Sequence, residues 1–164
     1  MKTLLVYYSL EGNSKYVAEK IKDYGGEGVT LLELKPVKKY PTGAVSKFFW
    51  GGKSAVMGEK PELESYSVNL DEYERVIFGF PVWASRFTPP LKTFIDENRE
   101  GLKDKKIAAF ACFAGSGADK ALCKLKEELG IDEFEEEISL INPKQKSGGE
   151  NESKIKGFCE ALFT

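Results

Sequence analysis

Apolar residues fall along this chain in two alternating rhythms. Unbroken apolar runs, "KTLLVYYS", "ERVIFGF" and "KKIAAFACF", are strand-like, and a shorter run, "GVTLLEL", follows the first. Between the runs, apolar residues recur at steps of three and four, the period of one helix face. Val17, Ala18, Ile21 and Tyr24 form the first such set. Leu91, Phe94 and Ile95 form the second, after a start in which Thr88 is the expected cap and the prolines of "TPP" suit a first turn. Ala118, Ala121, Leu122, Leu125 and Leu129 form the third, which Gly130 ends. Ile155, Phe158, Cys159 and Leu162 mark the last.

Strands alternating with helices predict a parallel sheet covered on both faces, a three-layer αβα arrangement. Strands one, three and four are almost wholly apolar and belong at its centre. The fifth, "EFEEEISLI", alternates Phe134, Ile138 and Leu140 with Glu133, Glu135 and Glu137, so it belongs at an edge. The second is short, holds Thr30 and Glu33, and takes the other edge. Right-handed crossovers then give a doubly wound five-stranded α/β sheet of order 2-1-3-4-5, with a switch point between strands one and three. The length of 164 residues suits a single domain over 1–164. Residues 35–70 break the rhythm. "KYPTGAVSKFFWGGKSAVMGEKPEL" exceeds what one crossover needs and is rich in aromatics and glycine, so a partly helical excursion packed on the domain is expected.

Composition narrows the chemistry. Histidine is absent, which removes histidine catalysis and histidine metal ligation. The formal net charge of −2 calls for no nucleic-acid surface. Cys112, Cys123 and Cys159 include no C-x-x-C pair, so neither zinc nor a disulfide framework is indicated; buried free thiols in a reducing compartment are expected. The opening apolar run is too short to span a bilayer and meets Glu11 without a small-residue cleavage site, so a cytoplasmic protein with no membrane partner is expected.

In a sheet of this order, ligands sit outside the carboxyl ends of the strands at the switch point. Three loops converge there: "SLEGNS", "PVWASRFTPP" and "FAGSGADK". In the first, Ser9, Asn13 and Ser14 offer side-chain donors, and Gly12 lets the chain turn tightly. Backbone N–H groups entering a helix form a concave anion site, so a phosphate is held there without a lysine. Other phosphate motifs fail. "WGGKS" has Lys47 where a P-loop needs its first glycine, and "GSGADK" has Lys120 where a dinucleotide fingerprint needs its last. In the second loop, Trp83 among Pro81, Val82 and Ala84 is expected to be exposed and suited to stacking on a flat heterocycle. The third, Phe113, Ala114, Gly115, Ser116 and Gly117, offers small residues and backbone groups to the rim of a planar ring.

Taken together, the three loops resemble those of the flavodoxin family, and the resemblance covers nearly the whole chain. "YYSLEGNS" looks like its phosphate loop, "GFPVWAS" its first flavin loop and "FAGSGAD" its second. In the family's hydroxyl-x-Thr-Gly-x-Thr pattern the positions become Ser9, Glu11, Gly12 and Ser14. The resemblance implies FMN, with its phosphate on Ser9, Leu10, Glu11, Gly12, Asn13 and Ser14. Pro81, Val82, Trp83 and Ala84 would line the isoalloxazine, with Trp83 stacked on it, and Phe113 to Gly117 would border the pyrimidine end. Glu11 departs from the family's threonine, and Ala84 and Ser85 stand where many members carry glycine. Trp50-Gly51-Gly52 is expected to pack on the core. The implied function is an electron carrier between redox partner proteins, a reductase and an electron acceptor. Asp96, Glu97, Glu100, Asp119 and Glu150 are candidates for steering basic partners. The alternatives are an FMN-dependent NAD(P)H:quinone-type oxidoreductase, with the excursion shaping a substrate pocket, and a flavin-free interaction module.

Overall fold

The computed structural model describes residues 1–41 and 60–164. Strands β1 (Thr3–Tyr7), β2 (Val29–Glu33), β3 (Arg75–Pro81), β4 (Lys106–Phe113) and β5 (Glu137–Ile141) form one sheet of order β2-β1-β3-β4-β5. Every pairing is parallel. Helices α1 (Asn13–Gly25), α2 (Pro89–Glu97), α3 (Arg99–Leu102), α4 (Ala118–Leu129) and α5 (Gly149–Phe163) cover it. This is the three-layer architecture and strand order that the sequence predicts.

Side chains alternate across a strand, so each central strand feeds two cores. Leu4 and Val6 of β1 join Phe78, Phe80, Leu91, Phe94 and Leu125 on the face covered by α2 and α4. Leu5 and Tyr7 join Val17, Ile21, Ile155, Phe158 and Leu162 on the face covered by α1 and α5. Burial on both faces explains why β1, β3 and β4 read as unbroken apolar runs. Gly79 of β3 lies opposite Phe110 of β4. A Cβ on Gly79 would stand 2.1 Å from the Phe110 ring, so glycine here makes room for a neighbouring aromatic.

Three expectations need correcting. Tyr24, in the last turn of α1, is 44% exposed, with its ring tilted against Phe163. Cys123 is exposed while Cys112 and Cys159 are buried; it sits between the inward positions Ala121, Leu122 and Leu125 and the outer face of α4. Thr88 stands at the start of α2, but its side chain makes no capping bond. The two ends of the 35–70 excursion are pinned to each other. Val37 N–H donates to the Glu62 carbonyl at 2.9 Å, and Glu64 N–H to the Lys35 carbonyl at 2.7 Å. The expected packing of Trp50-Gly51-Gly52 lies outside the described residues. Among the described residues no helix is long and apolar enough to cross a membrane.

Candidate functional site

The first loop joins β1 to α1. Gly12 precedes the helix at φ 97°, a left-handed conformation that glycine adopts without strain. The Ser9 hydroxyl accepts N–H bonds from Gly12 at 3.1 Å and Lys15 at 3.2 Å. It braces the loop from inside, and its own O–H is left to donate outward. The N–H groups of Asn13 and Ser14 have no acceptor among the described residues, as expected of a first helical turn. The Ser14 side chain is 1% exposed, and its hydroxyl makes no hydrogen bond. Leaving such a group unpaired costs about 1–3 kcal/mol. Its thiol neighbour, Cys112, is pushed up to about 12 by burial and so stays neutral; the Ser14 hydroxyl opposes that rise only through a weak contact with the sulfur, outside hydrogen-bond geometry, which a phosphate oxygen readily replaces. The pocket therefore presents donors and no negative charge from its floor.

The second loop leaves β3 at Pro81. Val82 N–H donates to the Cys112 carbonyl at 2.8 Å and keeps the loop tied to β4. Trp83 and Arg86 then exchange backbone bonds of 3.1 and 2.9 Å around a two-residue turn. Ala84 and Ser85 occupy that turn at φ 49° and 60°. Two successive left-handed residues with a Cβ are strained, which gives physical content to the absence of glycine there. Ser85 also abuts the third loop. A Cβ on Gly117 would stand 2.5 Å from the Ser85 hydroxyl, and Gly117 itself has φ 96°.

Trp83 departs from its expected exposure. It is 7% exposed and sits edge-on to Tyr8 and Tyr40, with ring centroids 5.7 and 5.0 Å away. Edge-to-face aromatic packing explains its burial. Tyr40 comes from the start of the excursion, so that segment contributes a ring to the site's underside.

These loops frame a cleft that opens to solvent and has a cavity volume of about 70 Å³. Ser9, Leu10, Glu11, Asn13 and Ser14 line one side. Pro81, Val82 and Trp83 line another, and Phe113 and Ala114 a third. Gly12, Ala84, Gly115, Ser116 and Gly117 are not in the lining; Gly12, Ala84 and Gly117 shape the loops through their left-handed backbones. Cys112 and Asn142, which the sequence did not single out, complete it. Asn142 follows β5 at φ 41°, and its N–H donates to the Phe113 carbonyl at 2.9 Å. Two residues on, Lys144 N–H donates to the Asn13 Oδ1 at 3.0 Å. The Asn13 side-chain amide oxygen therefore faces the fourth loop.

The acidic residues considered for partner steering are largely neutralised locally. Asp96 is ion-paired with Lys60, Lys92 and Arg99, Glu100 with Lys103, and Glu150 with Lys154. Glu97 accepts a bond from the Tyr66 hydroxyl at 2.7 Å.

Comparison with known proteins agrees with the loop geometry. A flavodoxin family model matches residues 2–146. No curated protein sequence matches. Among solved structures, a flavoprotein from Lactobacillus acidophilus in complex with FMN superposes with a TM-score of 0.74 at 21% identity, covering 96% of this chain and 97% of that one. A flavoprotein from Bacteroides uniformis gives 0.75 at 24% identity, with 97% of each chain covered. Two-electron reduced flavodoxin from Megasphaera elsdenii gives 0.61 at 17% identity, covering 97% and 96%. Those identities establish the shared fold, and the family match over most of the length establishes membership: this chain belongs to the flavodoxin family.

Proposed function

We propose that this protein carries electrons between redox partner proteins on a bound FMN. FMN is the cofactor of the family to which the chain belongs, and the residues at the cleft fit it. The observation that carries the reading is the Ser14 hydroxyl. It is buried, unpaired, and set at a helix N-terminus beside two free N–H groups, where a phosphate oxygen satisfies all three. Ser9 adds the hydroxyl proton that its own acceptor bonds leave over.

The remaining residues divide the work by chemistry. Pro81, Val82, Trp83 and Phe113 give an apolar wall that excludes water from a flat ring. From the third loop, Ala114 brings its backbone to the polar rim. When bound, FMN supplies the redox chemistry by taking up and releasing electrons; the chain supplies orientation and dielectric. Histidine is absent, and burial pushes Tyr7 up to about 12 and Tyr8 higher still. That favours a carrier over an enzyme that must move protons to a substrate. The partners are then a reductase that loads the protein and an acceptor that empties it.

The test has two stages. Flavin fluorescence titrations should show FMN bound far more tightly than riboflavin; equal affinities overturn the phosphate site. The FMN-loaded protein, mixed with NADPH alone, should keep its visible absorption, and lose it when a separate flavoprotein reductase is added. Rapid NADPH consumption by the protein alone replaces the carrier with an NAD(P)H oxidoreductase.

A further inference from the structure

The loop after β5 is built more rigidly than a connector requires. Asn142 N–H ties it to Phe113 in the third loop. Lys144 N–H ties it to Asn13 in the first, at 3.0 Å. From behind, the Asn151 amide of α5 donates to the carbonyls of Ile141 at 2.9 Å and Lys146 at 3.0 Å. Pro143 is buried between these anchors. The braced segment carries Lys144 onto the first loop. A Cβ on Gly12 would stand 3.0 Å from the Lys144 ammonium nitrogen and 3.4 Å from its Cδ. Among the described residues, that ammonium has no hydrogen bond or ion pair. Two residues along the same loop from Gly12, the buried Ser14 hydroxyl lines the cleft without a partner.

We propose that Lys144, delivered by the β5–α5 loop, is a cationic ligand for the FMN phosphate and sets the preference for FMN over riboflavin. This deepens the FMN reading and rests on it. The sequence of the first loop holds no cation before Lys15 and puts the acidic Glu11 beside the expected dianion. Lys144 supplies the opposite charge from across the fold. It reaches Gly12 because α5 packs next to α1 on one face of the sheet, so the loop entering α5 ends beside the loop entering α1. The ammonium is exposed, so its contribution is Coulombic and screened by salt. A bare structural role for the lysine stem, lying over Gly12, makes a different prediction, because it is indifferent to charge.

Lys144→Met keeps the stem and removes the charge; Lys144→Arg keeps both. Binding of FMN, riboflavin and inorganic phosphate as competitor is measured by flavin fluorescence at low and high salt. Lys144→Met is expected to weaken FMN about fivefold at low ionic strength and much less at high salt. It should leave riboflavin affinity and the urea midpoint unchanged, and blunt competition by phosphate; Lys144→Arg should behave as wild type. Equal FMN affinity and salt dependence in Lys144→Met and wild type overturns the assignment while leaving the FMN reading intact. Parallel losses for FMN and riboflavin also overturn it, in favour of the stem. Failure of the wild type to prefer FMN over riboflavin overturns both.

Discussion

The two ends of the sheet are built on opposite principles. At the amino ends of the strands, Arg75 is 4% exposed and fully engaged. It holds Glu135 through two bonds of 2.7 and 2.8 Å and reaches the buried Thr3 hydroxyl at 3.3 Å. At the carboxyl ends, the buried hydroxyls of Ser14 and Thr88 have no partner. Gly12 and Gly117 turn left-handed there, and so do Ala84 and Ser85, which have a Cβ to accommodate. One end satisfies its buried polar groups within the chain. The other keeps unsatisfied donors and backbone strain where a ligand arrives. Substitutions at the first end should therefore register in stability, and at the second in binding.

The largest expected effect tests the closed end. Glu135→Ala strands a buried guanidinium, and the loss should be about 3 kcal/mol, the low end for breaking such a pair because Glu135 itself is partly exposed. Urea denaturation of the apo-protein measures it. FMN affinity of the folded fraction should not change. The pair also has a pH signature. The Arg75 hydrogen bonds, and then its charge, hold the Glu135 carboxyl below its ordinary range. A depressed carboxylate contributes stability that is present above its unfolded pKa and lost as pH falls through the folded one. Wild type should thus lose stability on acidification more steeply than Glu135→Ala, and coincident acid limbs would show the pair to be energetically silent.

Second in size is Ser14→Ala, at the open end. Removing an unpaired buried hydroxyl should leave apo-protein stability unchanged or slightly raised. FMN should bind more weakly by about 2 kcal/mol, the scale of a hydrogen bond to a charged group. Riboflavin should bind as before. A stability loss with no change in FMN affinity would place Ser14 on the structural side and break the contrast.

Legibility in the sequence followed the same division. Strand order was readable because burial on both faces leaves an unmistakable apolar run in β1, β3 and β4, while β5 is half-exposed; the observed strand begins at Glu137, so Glu133 and Glu135 of the expected alternation precede it. The first three loops were readable because each follows such a strand. The fourth has no distinctive local signal, although Asn142-Pro143 directly follows β5 and every strand's carboxyl end opens on the same side. Its importance depends on α1 and α5 sharing a face, which no local pattern encodes. The burial of Trp83 is hidden from the sequence for a related reason. Its burial depends on Tyr8 one strand away and on Tyr40 from the excursion, a contact made in three dimensions only. Arg75 and Glu135 are 60 residues apart and likewise gave no local sign of pairing.

Thr88 sharpens the comparison by separating its two unpaired hydroxyls. Ser14 lines the cleft; Thr88 does not. Thr88→Val keeps the shape and removes a buried hydroxyl that neither caps α2 nor finds another partner. Thermal or urea unfolding should show a gain of about 1 kcal/mol, with FMN and riboflavin affinities unchanged. A fall in FMN affinity would extend the binding site to the start of α2.

The smallest expected effect concerns the strained turn. Ala84 at φ 49° is disfavoured by about 1–2 kcal/mol relative to a right-handed conformation. Glycine removes that penalty but gives the unfolded chain more freedom, which costs about 0.4–1 kcal/mol. The difference leaves Ala84→Gly more stable by about 0.5 kcal/mol, readable as a small rise in the urea midpoint with no change in slope. Ser85 cannot be treated the same way, because its side chain abuts Gly117 and holds the second and third loops together. Ser85→Gly relieves a similar strain yet removes that contact, so its stability should not rise. If both substitutions stabilised equally, strain alone would govern the turn. If neither did, the left-handed backbone would be held without cost, and the open end would owe its character to its unpaired hydroxyls rather than to stored strain.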